Sequence, residues 1–348
     1  MKQPPFVKVQ TDIKRPLLDQ IVRDFLKSGI DTRAKAQKSS GASLSSVGKV
    51  AAALVDSGFM SERLYSVKSG TRPQNHLTLN DNCRIMVLDL SHADFTAHII
   101  SGTNKCIFAD RHLYDYDISF EENLYVFLSR SGLKIKQCGL SVNAVCTIYT
   151  DKDSAYTGTT QFPSFRLPTV DEGFKVDGVI SSIFKAKALI HMSVSDSVAQ
   201  AIKFGLISEV DAPYGVSYIF AGNHLAAFHV TGEGQATICN VSELMLDDSS
   251  TALSILSGAA NSQMFCDVAF RIANIMCCVF RSQTVIIESD KFECNAAAMH
   301  EISRRFAISG IMPPRILNIS QDMPLRTLGA ARATLLVYIG RYIKAVDE

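Results

Sequence analysis

No run of apolar residues in this 348-residue sequence approaches the roughly 20 that a membrane-spanning helix requires, so no membrane partner is expected. The opening Met1-Lys2-Gln3-Pro4-Pro5 has none of the apolar stretch of a signal peptide. Cysteine spacing of the metal or redox kind is also missing: the nine cysteines include one adjacent pair, Cys277-Cys278, and no C-x-x-C. An odd, unpatterned set fits reduced thiols and predicts a cytoplasmic location; most of the nine read as small buried apolar side chains. Neither G-x-S-x-G nor H-E-x-x-H occurs, and the eight histidines have no metal-ligand spacing; His92, His98 and His224 read as surface or strand residues. No metal and no cofactor is expected.

Strong net charge is absent too, but the total of +1 conceals an asymmetry. Residues 1–80 hold 13 Lys/Arg against 6 Asp/Glu, or +7, and the remainder holds 22 against 28, or −6. A basic segment on an otherwise acidic protein suits a polyanionic partner, although solvated basic faces are common.

Within that segment the apolar spacing is helical. Leu18, Ile21, Val22 and Phe25 recur at i, i+3, i+4 and i+7, with Pro16 where a first turn tolerates it, predicting a helix over 16–28. Thr32 can cap a second helix, Arg33 to Ser39, whose outer positions are Arg33, Lys35 and Lys38. Gly41 permits a tight turn, and Ser43 can cap a third helix burying Leu44, Val47, Val50, Ala51 and Leu54. The other face of that helix offers Ser45, Ser46 and Lys49. Two strand-like segments follow, Phe59–Val67 and His76–Leu79, around a basic turn that carries Lys68 and Arg72. Three short helices and a hairpin predict an all-α winged helix-turn-helix domain over residues 1–80. Its third helix would enter the major groove of double-stranded DNA. Ser43, Ser45, Ser46 and Lys49 are then candidates for base-edge or adjacent phosphate contacts. Arg33, Lys35, Lys38, Lys68 and Arg72 are candidates for backbone positioning. A three-helix bundle for protein contacts is the alternative.

From about residue 84 the pattern becomes strands followed by alternating elements. Strands are predicted at Arg84–Leu90, Phe95–Ile100, Lys105–Tyr114, Ile135–Val142 and Ala188–Met192, with helices at Glu121–Arg130, Val170–Phe184 and Asp196–Phe204. The order then repeats: strands at Val216–Ala221, Leu225–Val230, Ala236–Val241, Thr284–Glu288 and Ile316–Ile319, and helices at Ser262–Phe280, Cys294–Ala307 and Pro324–Ala345. A duplicated unit of this kind predicts an α/β domain over 81–348. It would have two actin- or sugar-kinase-like lobes of the ribonuclease H-like fold, about 81–207 and 208–348, with a cleft between them. The Ser/Thr-rich segment Asp151–Thr160 reads as a loop, or as a lid over that cleft.

Several motifs resemble the ROK family (repressors, open reading frames and kinases), specifically its repressor branch, over nearly the whole chain. Ser45-Ser46-Val47-Gly48-Lys49-Val50 is similar to the family's recognition-helix pattern of small polar residues followed by V-x-K-V. Ser69-Gly70-Thr71-Arg72-Pro73 looks like its G-R-P wing tip, and Leu328-Gly329-Ala330-Ala331 like its C-terminal L-G-A-A. The family's first phosphate loop, D-x-G-G-T, matches Asp89-Leu90-Ser91-His92-Ala93, where the aspartate stays and both glycines are replaced. Its second, G-T-G, matches Ala221-Gly222-Asn223, and the glycine cluster beside the adenosine matches Glu288-Ser289-Asp290. All three departures oppose nucleotide binding, on which phosphoryl transfer depends.

On the sugar side, the family's N-D pair, whose aspartate is general base, matches Ser195-Asp196. For Asp196 the alternative is a helix-terminal acid favoured by the dipole. The E-x-G-H motif matches Glu243-Leu244-Met245-Leu246, with the glutamate kept and the histidine lost. The cysteine-rich zinc site that follows in the family is missing, with no cysteine between Cys239 and Cys266. The resemblance therefore implies a homodimeric, DNA-binding regulator without kinase activity, in which Asp89, Asp196 and Glu243 are the surviving ligand-side residues. Sugar or sugar-derivative sensing stays open, and an active ATP-dependent sugar kinase is the alternative.

Overall fold

The computed structural model describes residues 6–65, 74–92, 94–151, 174–184, 186, 188–207, 215–221, 225–241, 244, 251–252, 255, 262–289, 292, 294–318 and 323–346. The wing-tip residues Lys68 and Arg72, together with Glu243, Asp290, His224, residues 222–223 and the segment 152–160, fall outside them.

The chain enters through a strand, β1 (Val9–Lys14), before its first helix. Three helices follow: α1 (Arg15–Leu26), α2 (Arg33–Ser40) and α3 (Leu44–Asp56). Pro16 lies in the first turn of α1, and Leu18, Ile21, Val22, Phe25 and Leu26 form its buried face. Thr32 caps α2 by accepting from the Lys35 amide at 3.2 Å, and Ser43 caps α3 by accepting from the Ser46 amide at 3.0 Å. Between the two helices Gly41 takes a left-handed φ of 68°, a conformation that glycine adopts without steric cost. The buried face of α3 begins at Val47 and continues through Val50, Ala51, Ala53 and Leu54. Leu44, expected in that core, is 55% exposed, because it occupies the helix's free first turn. An antiparallel hairpin of β2 (Met60–Tyr65) and β3 (Gln74–Leu79) follows, pairing Met60 with Leu79 and Tyr65 with Gln74.

Two sheets of like topology make up the rest. The first, in the order β6-β5-β4-β7-β8, comprises β4 (Ile85–Asp89), β5 (Asp94–Ile100), β6 (Cys106–Leu113), β7 (Ala144–Tyr149) and β8 (Ala188–Ser193). The second repeats it as β11-β10-β9-β12-β13: β9 (Val216–Ala221), β10 (Leu225–Val230), β11 (Ala236–Cys239), β12 (Thr284–Glu288) and β13 (Arg315–Asn318). In both, the first three strands are antiparallel and the last two run parallel to the first. The helices of the first lobe are α4 (Phe120–Gln137), α5 (Phe174–Phe184) and α6 (Val194–Lys203). Those of the second are α7 (Ser262–Phe280), α8 (Ala296–Ile308) and α9 (Leu325–Ile339).

Two expectations are corrected. Residues 135–142 are not a strand: α4, opened by a Ser119–Glu122 capping box, runs to Gln137 and keeps Leu124, Phe127, Leu128, Ser131 and Ile135 on one buried face. The strand is β7, buried at every position and so without the alternation that marks a half-exposed strand. The last helix stops at Ile339 and the chain turns into β14 (Ile343–Val346), which pairs in parallel with β1, Val9 opposite Ile343. Helix α7 is long and apolar enough by length and composition to cross a bilayer, although Asp267 and Arg271 interrupt its apolar run. Here it buries Phe265, Cys266, Val268, Ala269, Ile272, Ala273 and Met276 in the core of the second lobe.

One hydrophobic cluster joins these parts, running from Ile13, Leu18 and Phe59 through Ile85 and Val87 to Tyr218, Leu335 and Ile343. At the junction Phe6 stacks on Phe59 at 4.3 Å, with Tyr338 and Tyr342 edge-on to both. The Ser28 amide donates to the Phe204 carbonyl at 2.9 Å, so the end of α6 also touches the N-terminal helices.

Candidate functional site

Two places carry clustered chemistry. The first is the exposed side of α2 and α3. Ser45 is exposed on the first turn of α3, and the hydroxyls of Ser43 and Ser46 lie 2.9 Å apart there. The cations expected beside them are largely engaged within the chain. Arg33 forms an ion pair with Glu62 of β2 at 2.8 Å, Lys35 with Asp31 at 2.6 Å, and Lys49 with Asp12 of β1 at 2.5 Å. Lys35 also donates to the Gly29 carbonyl at 3.1 Å. Lys38 is exposed and has no ion-pair partner among the described residues.

The second place lies between the lobes. Strand β4 delivers Asp89 at its end, β12 delivers Glu288 at its end, and the first turn of α9 inserts Arg326 between them. Arg326 donates through Nε to Asp89 Oδ2 at 2.6 Å and through Nη1 to Glu288 Oε2 at 2.5 Å. The Tyr218 hydroxyl donates to the same Glu288 oxygen at 2.5 Å, and the Leu325 amide to Oε1 at 3.4 Å. Asp89 Oδ1 accepts from the Ser91 amide at 3.1 Å and its hydroxyl at 2.5 Å. Phe220 covers the group, with the Arg326 guanidinium 5.7 Å from its ring centre and His92 stacked at 4.6 Å. Asp89, Glu288, Arg326, Tyr218 and His92 are all buried, so His92 is not the surface residue expected.

Burial alone would push the Asp89 carboxyl up. The Arg326 guanidinium, His92 and the Ser91 hydrogen bond outweigh it and hold the acid well below its ordinary range. Arg326 is likewise penalised by burial, but Asp89, Tyr218 and Glu288 keep it firmly charged. A guanidinium thus occupies the place where two strand ends from different lobes converge.

Asp196 stands apart from this centre. It is exposed in the first turn of α6, where its amide donates to Ser193 Oγ at 3.1 Å and its carboxylate accepts from the same hydroxyl at 3.0 Å. Its neighbour Ser195 is buried and donates through its amide (3.2 Å) and its hydroxyl to Asp151. Burial raises the Asp151 carboxyl above its usual range, against the pull of the Ser195 and Ser193 hydrogen bonds. Asp89 and Asp196 therefore belong to separate hydrogen-bond networks. Among the described residues, no group of three or more His, Cys, Asp or Glu is placed to hold a metal ion.

Sequence reasoning missed Arg326 and Tyr218. The available signal was an arginine in the first turn of a helix rich in apolar residues, two residues before Leu328-Gly329, although Arg332 follows in the same helix. It also missed the acids Asp12, Asp31 and Glu62: the i, i+4 spacing of Asp31 and Lys35 was a local signal, whereas nothing in the local pattern ties Asp12 to Lys49 or Glu62 to Arg33.

No protein-family profile matches the chain, and no curated protein sequence matches it. Solved structures do. A ROK family transcriptional regulator, a homologue of the E. coli MLC protein, superimposes with a TM-score of 0.62 at 13% identity, covering 93% of this chain and 98% of that one. A ROK glucokinase from Streptomyces griseus, bound to glucose and AMPPNP, gives 0.49 at 11% identity over 72% of this chain and 99% of its own. A ROK hexokinase from Thermus thermophilus gives 0.47 at 13% over 73% and 98%. The likeness to the solved regulator, at a TM-score of 0.62 over 93% of the chain, shows that the two share a mixed α/β fold.

Proposed function

We propose that this chain is a DNA-binding transcriptional regulator. Residues 1–80 form its winged helix-turn-helix domain, and residues 81–348 serve dimerisation and sugar sensing without kinase activity. The observation that carries the reading is the α2–Gly41–α3 unit. Its third helix leaves a polar first turn exposed and is followed directly by a two-stranded hairpin. The +7 charge of residues 1–80 fits a phosphate backbone. The likeness to the solved regulator covers 93% of the chain, more than the 268 of 348 residues in 81–348. Two half-sites one helical turn apart require two modules, hence a homodimer on a double-stranded operator.

Arg326 supports the silent-kinase half. Asp89 and Glu288 match the positions that the ROK resemblance assigns to a phosphate loop and to the adenosine side. Here they are cross-linked by a buried guanidinium. Phosphoryl transfer rests on positioning and charge stabilisation of the phosphates, and this arrangement gives neither. Asp196 and Glu243 remain as the effector-side residues. The exposure of Asp196 favours a second reading, an active ATP-dependent sugar kinase with Asp196 as base.

Selection of duplexes from a randomised pool, followed by gel-shift titration, tests the first reading. Lys49→Ala is expected to weaken binding to the selected duplex about tenfold, the scale of one specific contact. Arg72→Ala is expected to lower non-specific affinity and its salt dependence. Failure of the wild type to bind any duplex would sink the proposal. A coupled assay over hexoses and amino sugars with ATP addresses the second: turnover abolished by Asp196→Asn would establish it.

A further inference from the structure

Three of the cations assigned to DNA, Arg33, Lys35 and Lys49, are held by acids of the same unit. Residues 1–80 contain six acids, and three of them, Asp12, Asp31 and Glu62, each grip one of those cations. Two of the pairs join distant elements, β1 to α3 and β2 to α2; the third, Asp31 to Lys35, is a local i, i+4 pair at the start of α2. In the Lys49–Asp12 pair the side chains are 49% and 63% exposed. An ion pair this open to water adds little to stability, so folding is a poor reason for Asp12 to sit beside Lys49. The Arg33–Glu62 pair is less exposed, at 34% and 25%, and Asp31 also lies 3.1 Å from His76 Nδ1, so those two acids have a structural use besides.

Building on the regulator reading, we propose that Asp12, Asp31 and Glu62 are specificity-determining residues. They act as internal counter-ions that DNA phosphates must displace. A lysine that binds phosphate ordinarily releases one condensed cation from the duplex, steepening the salt dependence by about 0.9 per contact. When Lys49 leaves Asp12 for a phosphate, the freed carboxylate recruits a cation from solution and the release is cancelled. The exposed acid also stands close to the incoming phosphate and repels it. Loose, sequence-independent association therefore gains little from Arg33, Lys35 or Lys49. Only a duplex whose base edges fit α3 supplies enough further contact to displace the acids. Lys38, which has no such acid among the described residues, contributes its contact to every duplex alike.

The test is fluorescence-anisotropy titration of the full chain against a labelled random-sequence 30-bp duplex and a pool-selected duplex, at several KCl concentrations. Asp12→Asn is the cleanest variant, since Lys49 is the side chain that Asp12 holds. It is expected to tighten binding to the random duplex about twofold to fivefold and to steepen the slope by about 0.9. The ratio of selected to random affinity falls. Asp12→Asn, Asp31→Asn and Glu62→Gln together are expected to steepen the slope by about 2.7. Lys38→Gln in the wild type makes it shallower by about 0.9 on both duplexes. If Lys38→Gln has that effect while Asp12→Asn leaves slope and random-duplex affinity unchanged, the counter-ion assignment is wrong and the regulator reading stands. If neither the wild type nor any variant binds a duplex, the regulator reading itself has failed. Should the triple variant not fold, Asp12→Asn alone decides.

Discussion

Removing a single guanidinium would leave two buried carboxylates facing each other across the lobes. Breaking such a buried pair by deleting one partner typically costs about 3–5 kcal/mol, because an uncompensated charge stays behind. Arg326→Met keeps the volume and the apolar contact with Phe220 but not the charge. It is expected to lower unfolding stability by about that amount in a urea titration. Adding Asp89→Asn and Glu288→Gln to it should recover most of the loss, since neutral amides need no counter-charge. A triple variant no more stable than the single one would show that packing, not charge, fixes Arg326. Asp151 presents the opposite case. Its folded carboxyl titrates above the usual value because burial disfavours the charge. Below the unfolded pKa of about 3.9 the acid is protonated in both states and costs nothing. As pH rises through the folded value it must ionise in its buried place, and stability falls. Asp151→Asn, whose amide oxygen can still accept from Ser195, should therefore raise the melting temperature at pH 7 and not at pH 3. An equal rise at both would contradict this.

Among the elements, α6 and α9 approach until backbone meets backbone. A Cβ built on Gly329 would lie 1.9 Å from the Ser197 carbonyl oxygen and 2.6 Å from the Ala201 amide nitrogen. Alanine in a helix is ordinarily favoured over glycine by about 1 kcal/mol. Here Gly329→Ala is expected to destabilise in spite of that gain, since α6 must move off α9. An unchanged or raised melting temperature would refute the close approach. The L-G-A-A match was legible only as a family resemblance, and its packing role comes from the structure; most of the duplicated strand order was legible because the apolar runs were long enough to identify. What escaped was set by tertiary context. Ile135 belongs to both a helical and a strand-like pattern until the α4 capping box and the fully buried β7 decide between them. The β-branched Val9, Thr11 and Ile13 alternate with polar residues, a local strand signal, but the partner that makes β1 part of a sheet lies more than 300 residues away. The pairing of Arg326 with Asp89 spans 237 residues, a distance over which spacing rules say nothing.

At the scale of the molecule, the N-terminal helices are not an appendage on a tether. The chain's last strand returns to them: β14 pairs with β1, the Val9 amide donates to the Tyr342 carbonyl at 2.8 Å, and Ile343 is fully buried in the shared core. Helix α9 thus begins at the interlobe guanidinium and ends, through Tyr338 and Tyr342, against Phe6 and Phe59. A boundary drawn at residue 80 misses that the first unit borrows its closing strand from the far end of the sequence. Stopping the chain at Gly340 would remove Tyr342 and β14 while leaving both five-stranded sheets intact. The loss of a buried isoleucine alone is worth about 2–5 kcal/mol, and β1 would lose its only partner strand among the described residues. Hydrogen exchange should then show faster exchange in β1, α1 and α3, with β4, β7, β9 and β12 protected as before. Uniform loss of protection would mean that the shared core folds as one cooperative unit. Unchanged protection in α1 and α3 would mean that the N-terminal unit holds itself together, and that β14 only rests on it.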